Sequence, residues 1–367
     1  MSLRAVWLTW LMATLPPPHL ICIPGPACYS VIDPSQPEFE HVYRDFANKH
    51  YFSPAKNQIG RFIDETPGPM LHLYGSHVAK NSHIEWTNHT FNPWWGCHKV
   101  SPACDNCYAE IWARRVGKTL WGQEAPRRFF GDAHWREPIK WDQEAGANDV
   151  RARVFCASMA DVFESRSTLN EQRARLWHLI DRTPNLDWLL LTKRPQHIQS
   201  MTPWGDNWPP NVWIGTSVEN QKVAEMRLPH LLSVPAAVRF LSCEPLLGPL
   251  NLGSWFNRRC YKPIDWVIVG GESGSHSRPM HPDWAIGLLQ QCLHAKVPFH
   301  FKQWGHWMPT EYDKIGKKDI VVFVGDSDPI PMKAVGKKIA GRTLEGTTWD
   351  GLPRSLALQE NSTSQLT

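Results

Sequence analysis

The sequence predicts an α/β fold: a (β/α) TIM-like or partial barrel of about six to eight parallel strands behind a Pro-rich leader. Three observations carry this. Short apolar runs, rich in Val, Ile, Leu, Phe and Trp, recur at residues 154–159, 188–192, 212–216, 238–242, 266–269 and 299–301, as in strands buried on both faces of a parallel sheet. Helical stretches fall between several of them. Polar and charged residues then follow the runs, at the carboxyl ends where such barrels hold their chemistry.

Taken in order, residues 1–80 do not match the rest. Ten of the 31 prolines precede Met70, beginning with Pro16, Pro17 and Pro18, and no helical or alternating period persists, so little packed structure is expected there. Arg4 followed by the apolar stretch 5–15 has the order of a secretory signal, but the prolines behind it and the lack of a convincing cleavage site argue against export. A cytoplasmic protein is expected. A start near Met70 would make the leader an extension without a role. A first strand is expected near residues 90–94. Helices are expected over 105–116, where Pro102 keeps the preceding loop non-helical, and over 169–182, 220–232 and 283–295, the last entered through Pro282. The expected organisation is a leader over 1–80, a barrel over 81–308 and a C-terminal extension over 309–367, partly packed on the barrel.

Composition narrows the function classes. Of 367 residues, 42% are apolar and 20% charged, with no run of about twenty uncharged apolar residues, which argues against a membrane span and against a disordered chain. The net charge of +4 is too small to signal bulk capture of nucleic acid and excludes no partner. Nine cysteines over this length are not a disulfide scaffold, yet three crowd between Cys97 and Cys107, which reads as metal chemistry in a reducing compartment. Composition does not explain the 20 tryptophans; Trp94, Trp95 and Trp304 are candidates to wall a pocket, with a core role as the ordinary alternative.

The three cysteines form a C-x6-C-x2-C motif, Cys97, Cys104 and Cys107. Three thiolates on a short loop beside a helix N-terminus suit a metal or a cluster. A cubane iron–sulfur cluster takes one thiolate per iron, so three protein ligands leave one iron open to a chelating small molecule. Structural zinc (Zn) is the rival, with His98 as fourth ligand, although adjacent residues rarely converge on one tetrahedral ion. Cys156 and Cys243 lie in expected strands and read as core, Cys260 and Cys292 have no identifiable partner, and Cys22 and Cys28 fall in the leader.

The strand ends supply Ser158 and Asp161, then Lys193 and Arg194, Ser217 and Glu219, Ser242 and Glu244, Gly270 to Glu272, and Lys302 with Trp304. Asp161, Lys193, Arg194, Glu219, Glu244 and Lys302 are the candidate catalytic groups. Paired cations and carboxylates at a barrel mouth bind anions, move protons, or only neutralise one another. Helix capping and plain solvation are the ordinary alternatives.

Residues 84–87 (Ile-Glu-Trp-Thr), Asn92-Pro93-Trp94-Trp95-Gly96-Cys97, the cysteine loop through Glu110, residues 155–163, Leu190-Leu191-Thr192-Lys193-Arg194-Pro195, and the stretches 213–219, 242–246, 269–274, 301–305, 336–338 and 341–342 resemble a phage and bacterial family of unassigned function known for a three-cysteine motif. The resemblance covers essentially everything after the leader. That family looks like a divergent relative of the radical S-adenosylmethionine (SAM) enzymes, which hold a 4Fe-4S cluster through three cysteines in a partial barrel. The resemblance implies a cluster on Cys97, Cys104 and Cys107, SAM chelated at the open iron, an electron donor, and radical chemistry. The usual spacing is C-x3-C-x2-C, and this loop is three residues longer before its second cysteine. Gly270, Gly271 and Glu272 look like the segment that binds the amino group of SAM, but they follow a later strand; a tight turn is the equal alternative. Ser158 and Asp161 end the second strand, where that segment normally lies, and are candidates for the polar end of the cofactor, with Trp304 as a stacking wall. Lys193 and Arg194, with Lys337, Lys338 and Arg342, raise a nucleotide or nucleic-acid-related substrate. The competing expectation is a non-catalytic barrel with a zinc site, associated with nucleic acid.

Overall fold

Strand–helix–strand crossovers are right-handed, so a sheet whose parallel strands lie in chain order takes its helices on one face and curls toward a barrel. The chain has this order. The computed structural model describes residues 31–32, 79–80, 82, 84–256, 263–316, 319–322 and 329–353. Most of the leader, with Cys22 and Cys28, and also Cys260, lies outside the described residues.

Residues 77–308 and 334–367 form one compact unit. Its sheet holds seven parallel strands: β1 (His89–Thr90), β2 (Ala152–Cys156), β3 (Leu186–Thr192), β4 (Val212–Ser217), β5 (Val238–Cys243), β6 (Trp266–Gly270) and β7 (Phe299–Gln303), each paired with the next. Ala79–Lys80 adds an antiparallel pair beside β1. This is the predicted α/β partial barrel. Its open end is capped by the chain itself: Gly351 N–H donates to Phe299 O at 2.9 Å and Phe301 N–H to Trp349 O at 2.9 Å, so residues 349–351 cover an edge of β7 that would otherwise be an exposed template.

Strands β4, β5 and β6 are buried along their whole length, as their apolar runs predict. Trp86, Phe155, Leu189, Trp213, Val238, Phe240, Trp266 and Ile268 pack into one cluster, which accounts for part of the tryptophan count. Phe240 passes so close over β4 that a Cβ on Gly215 would sit 2.4 Å from its ring. Truncating one of these buried rings would cost about 3–5 kcal/mol.

The longer helices are α1 (Tyr108–Arg115), α2 (Asp132–Ala147), α3 (Asn170–Asp181), α4 (Gln221–Leu232) and α5 (Pro282–Ala295). Asn220 caps α4, its Oδ1 accepting from Val223 N–H at 3.0 Å, and α5 begins at its proline. Helix α2 departs from the sequence reading, which placed no helix there. Pro138 lies inside it and masks the pattern, although the buried Trp135, Pro138, Trp141 and Ala145 recur at three- and four-residue steps. Strand β2 also ends at Cys156, short of the expected 159, because Asn92 Oδ1 takes the Met159 N–H at 2.7 Å and draws the chain out of the ladder. Cys156, Cys243 and Cys292 are buried.

The second unit comprises residues 1–76 and 309–333. Its described part is antiparallel: Val31–Ile32 pairs with Ile320–Val322, which pairs with Ile330–Ala334. Among the described residues no helix is long and apolar enough to cross a membrane.

Candidate functional site

The cysteine loop leaves the carboxyl end of β1. Gly96 N–H donates to Met159 O at 3.0 Å and Gly122 N–H to Cys97 O at 3.0 Å, fixing the backbone on both sides of Cys97. Gly96 has φ +111° and a Cβ there would lie 2.5 Å from Leu120 O, so no other residue fits before the first cysteine. Cys104 closes a short turn of 3-10 helix, Pro102–Cys104, and Cys107 stands at the residue before α1. The helix expected over 105–116 thus starts only at Tyr108, and the loop before it, expected to be non-helical, takes one 3-10 turn with Pro102 in its first position. All three are free thiols, Cys104 buried and the other two half-buried.

Cys97 sits against a cation. Arg194 Nη1 lies 3.6 Å from its Sγ, and Nη2 donates to His98 O at 3.0 Å. Burial pushes the Cys97 thiol up to about 12 against the pull of Arg194, so without metal it is a neutral thiol and ligation would release a proton. Arg194 is itself held by Asp161, Nη1 to Oδ2 at 2.7 Å. Burial alone would raise the Asp161 carboxyl. Arg194 and hydrogen bonds from Thr192 Oγ1, Lys193 N–H and Phe163 N–H outweigh it and keep Asp161 below the usual carboxylate range.

Three further strand ends grip the same loop. From β4, Glu219 is fully buried, accepts from Ala103 N–H at 3.3 Å and pairs with Arg227 Nη1 at 3.0 Å. From β6, Glu272 accepts from Asn106 Nδ2 at 2.9 Å and from Arg278 Nη2 at 2.5 Å, and that same Nη2 donates to Pro102 O at 2.9 Å. From β2, Glu164 Oε1 meets His98 Nδ1 at 3.0 Å and Arg127 Nη2 at 2.5 Å. Arg194, Glu219 and Glu272 therefore bond the cysteine loop directly, and Asp161 acts on it through Arg194. Sequence reading named these four but missed Asn92, Asn106, Glu164, Arg127 and Arg278, which have partners far along the chain, and Arg227, whose partners lie across the turn between β4 and α4. The signal available for Asn106 was its place inside the motif.

Glu244 and Lys302 stand apart from the loop contacts. Lys302 Nζ lies 2.8 Å from both carboxylate oxygens of Glu244, and Gln303 Nε2 donates to Oε1 at 3.2 Å. A Cβ on Gly270 would touch the Glu244 side chain at 3.4 Å. Gly271 has a packing reason: a Cβ there would lie 1.9 Å from Trp304 O, where the β6 and β7 loops cross. Ser158 lies beside the cysteine helix, its Oγ accepting from Asn92 Nδ2 at 3.1 Å and its carbonyl from Tyr108 Oη at 2.8 Å. Trp304 is buried, with Nε1 donating to Thr343 O at 2.8 Å, and Trp94 is fully buried under Arg173. Trp95 packs in the same cluster as Cys107. Arg342 is engaged by Asp350, whereas Lys337 and Lys338 are exposed.

Among the described residues no three His, Cys, Asp or Glu side chains gather around one point as a single ion would require. His98, the fourth zinc ligand in the rival reading, turns Nδ1 to Glu164. Three free thiols on one fixed loop remain a fitting donor set for a cubane, whose thiolates sit on separate irons.

The fold is similar to a spore photoproduct lyase variant solved with bound AdoMet and dinucleoside spore photoproduct, at TM-score 0.37 and 12% identity, covering 82% of this chain and 87% of that one. A second variant of that enzyme matches at TM-score 0.39 and 14% identity, covering 84% of this chain and 89% of that one. No curated protein matches. The family model described as "Protein of unknown function (DUF5131)" matches residues 81–353, and the chain belongs to that family.

Proposed function

We propose that this chain is a radical SAM-like iron–sulfur enzyme. One observation supports it above the others: a single loop with all three cysteines leaves the carboxyl end of β1 and is gripped by buried charged side chains from the ends of β2, β3, β4 and β6. A loop that only connects elements has no need of buried carboxylates, each costly to desolvate. Cys97, Cys104 and Cys107 would hold a 4Fe-4S cluster with one iron left for SAM. When bound, such a cluster would supply one electron for reductive cleavage of a SAM carbon–sulfur bond, releasing methionine and leaving a 5′-deoxyadenosyl group able to abstract hydrogen.

The chain's own residues then have separable roles. Arg194 offsets the negative charge of a Cys97 thiolate. Glu219 and the Glu272–Arg278 pair hold the loop in register. The aromatic cluster around Phe240 and Trp266 closes the barrel interior to water. Glu244 and Lys302 offer a carboxylate and an ammonium for the polar end of SAM or of substrate, with Ser158 beside the cysteine helix as a further hydrogen-bonding group. For the substrate we keep a nucleotide or nucleic-acid-related molecule, resting on Lys193, Lys337 and Lys338; Arg194, Arg342 and Lys302 are engaged by Asp161, Asp350 and Glu244 and do not count toward it. Thiols that must stay reduced for ligation favour the cytoplasm.

Anaerobic reconstitution tests the proposal. About four irons and four sulfides per chain, with SAM-dependent release of 5′-deoxyadenosine, would support it. One tightly held zinc and no iron would overturn it in favour of a structural centre.

A further inference from the structure

We infer that a cleft of about 540 Å³ on the flank of the cysteine loop is the docking surface for an acidic electron-carrier protein. The inference rests on the iron–sulfur reading above and adds the partner that reading requires. The cleft is lined by His98 and Val100 of the loop itself and, opposite them, by Arg166, Lys193, Met226 and His230.

Its charge is unbalanced. Of the cations on its walls, Arg194 is neutralised by Asp161 and Arg227 by Glu219, while Glu164 is taken by Arg127. Lys193 and Arg166 have no carboxylate partner among the described residues; Arg166 bonds only the carbonyls of Gln123 and Ala125. Its rims are apolar where they face solvent, with Val100 42% and Met226 56% exposed. Exposed apolar side chains among unneutralised cations are the composition of a surface for an acidic protein. A phosphate backbone would use the cations and leave the Val and Met idle.

The cleft also reaches the ligands. Arg194 lines it and places Nη1 3.6 Å from Cys97 Sγ, so a carrier seated there touches the cysteine loop at His98 and Val100 and is separated from the Cys97 sulfur by one side chain. Electron tunnelling falls steeply with distance, and this cleft places a carrier within one side chain of a proposed ligand. The step balances simply: one electron leaves the carrier, which is oxidised, and reduces the cluster, and no atom is transferred.

The test uses the full chain, with a flavodoxin as the acidic carrier probe. Binding of labelled flavodoxin is followed by fluorescence anisotropy for the wild type and for Arg166→Glu/Met226→Glu, two positions outside the proposed ligand set. We expect about tenfold weaker binding by the variant, and wild-type binding that weakens as salt shortens the Debye length below about 8 Å. In reconstituted protein the variant's cluster should be reduced about tenfold more slowly by flavodoxin and at an unchanged rate by dithionite. Equal flavodoxin binding by both proteins overturns the inference, as does a variant that loses affinity for a DNA oligonucleotide and not for flavodoxin. Iron counting separates the two claims: absence of iron in every sample overturns the functional reading, whereas normal iron with equal flavodoxin binding overturns the docking surface alone.

Discussion

Glu219 is the residue whose loss should most clearly separate barrel stability from cysteine-loop order. It is fully buried, paired with Arg227 at 3.0 Å and bonded to Ala103 N–H at 3.3 Å. Glu219→Ala strands a buried guanidinium, and removing one member of such a pair costs about 3–5 kcal/mol. At roughly 2–4 °C per kcal/mol for a domain of this size, the melting temperature should fall by about 6–20 °C. Glu219→Leu/Arg227→Met removes both charges and should recover most of that loss, since apolar replacement of a buried pair is often neutral. It cannot restore the acceptor for Ala103. In the double variant, therefore, thermal melting should approach wild type while hydrogen–deuterium exchange at Ala103 rises and iron loading under anaerobic reconstitution drops. A double variant with wild-type melting, wild-type exchange at Ala103 and full iron would refute the argument that Glu219 holds the loop.

Replacing Cys97, Cys104 or Cys107 singly by Ala should abolish stable iron binding while shifting the melting temperature by less than about 5 °C, because the strands and not the loop carry the core; iron analysis beside a thermal melt checks both halves. Gly271→Ala should destabilise by about 3 kcal/mol or more, since its methyl would lie 1.9 Å from Trp304 O and backbone has to move, which a urea titration would read. His300 gives a pH signature: burial, reinforced by Arg342, lowers it from 6.5 to about 4. The unfolded chain therefore binds the extra proton between those values, and stability falls as pH drops through that window, by on the order of 3 kcal/mol in all. His300→Phe should flatten that part of the stability–pH curve, and an unchanged curve would assign it to other groups.

The fold was legible because a parallel barrel strand is local in its chemistry. Each run of Val, Ile, Leu, Phe and Trp must be buried on both faces wherever its neighbours lie, so six runs located β2 to β7 before any pairing was known. The cysteine loop was legible for the same reason, three thiols lying within eleven residues. Helix α2 was not, because Pro138 is a helix breaker by local rules and only the packing of Trp135 and Trp141 overrides it.

The sequence by itself determined the strand order's raw material, the chemical identity of the proposed ligands, and the placing of charged residues at strand ends. What those charges do was decided by tertiary structure alone. Ala103 meets Glu219 across 116 residues and Pro102 meets Arg278 across 176, contacts with no periodicity or spacing to announce them. A buried carboxylate looks the same in sequence whether it faces substrate or a backbone N–H; only the curl of the sheet brings the strand ends to the loop and settles which partner satisfies each charge.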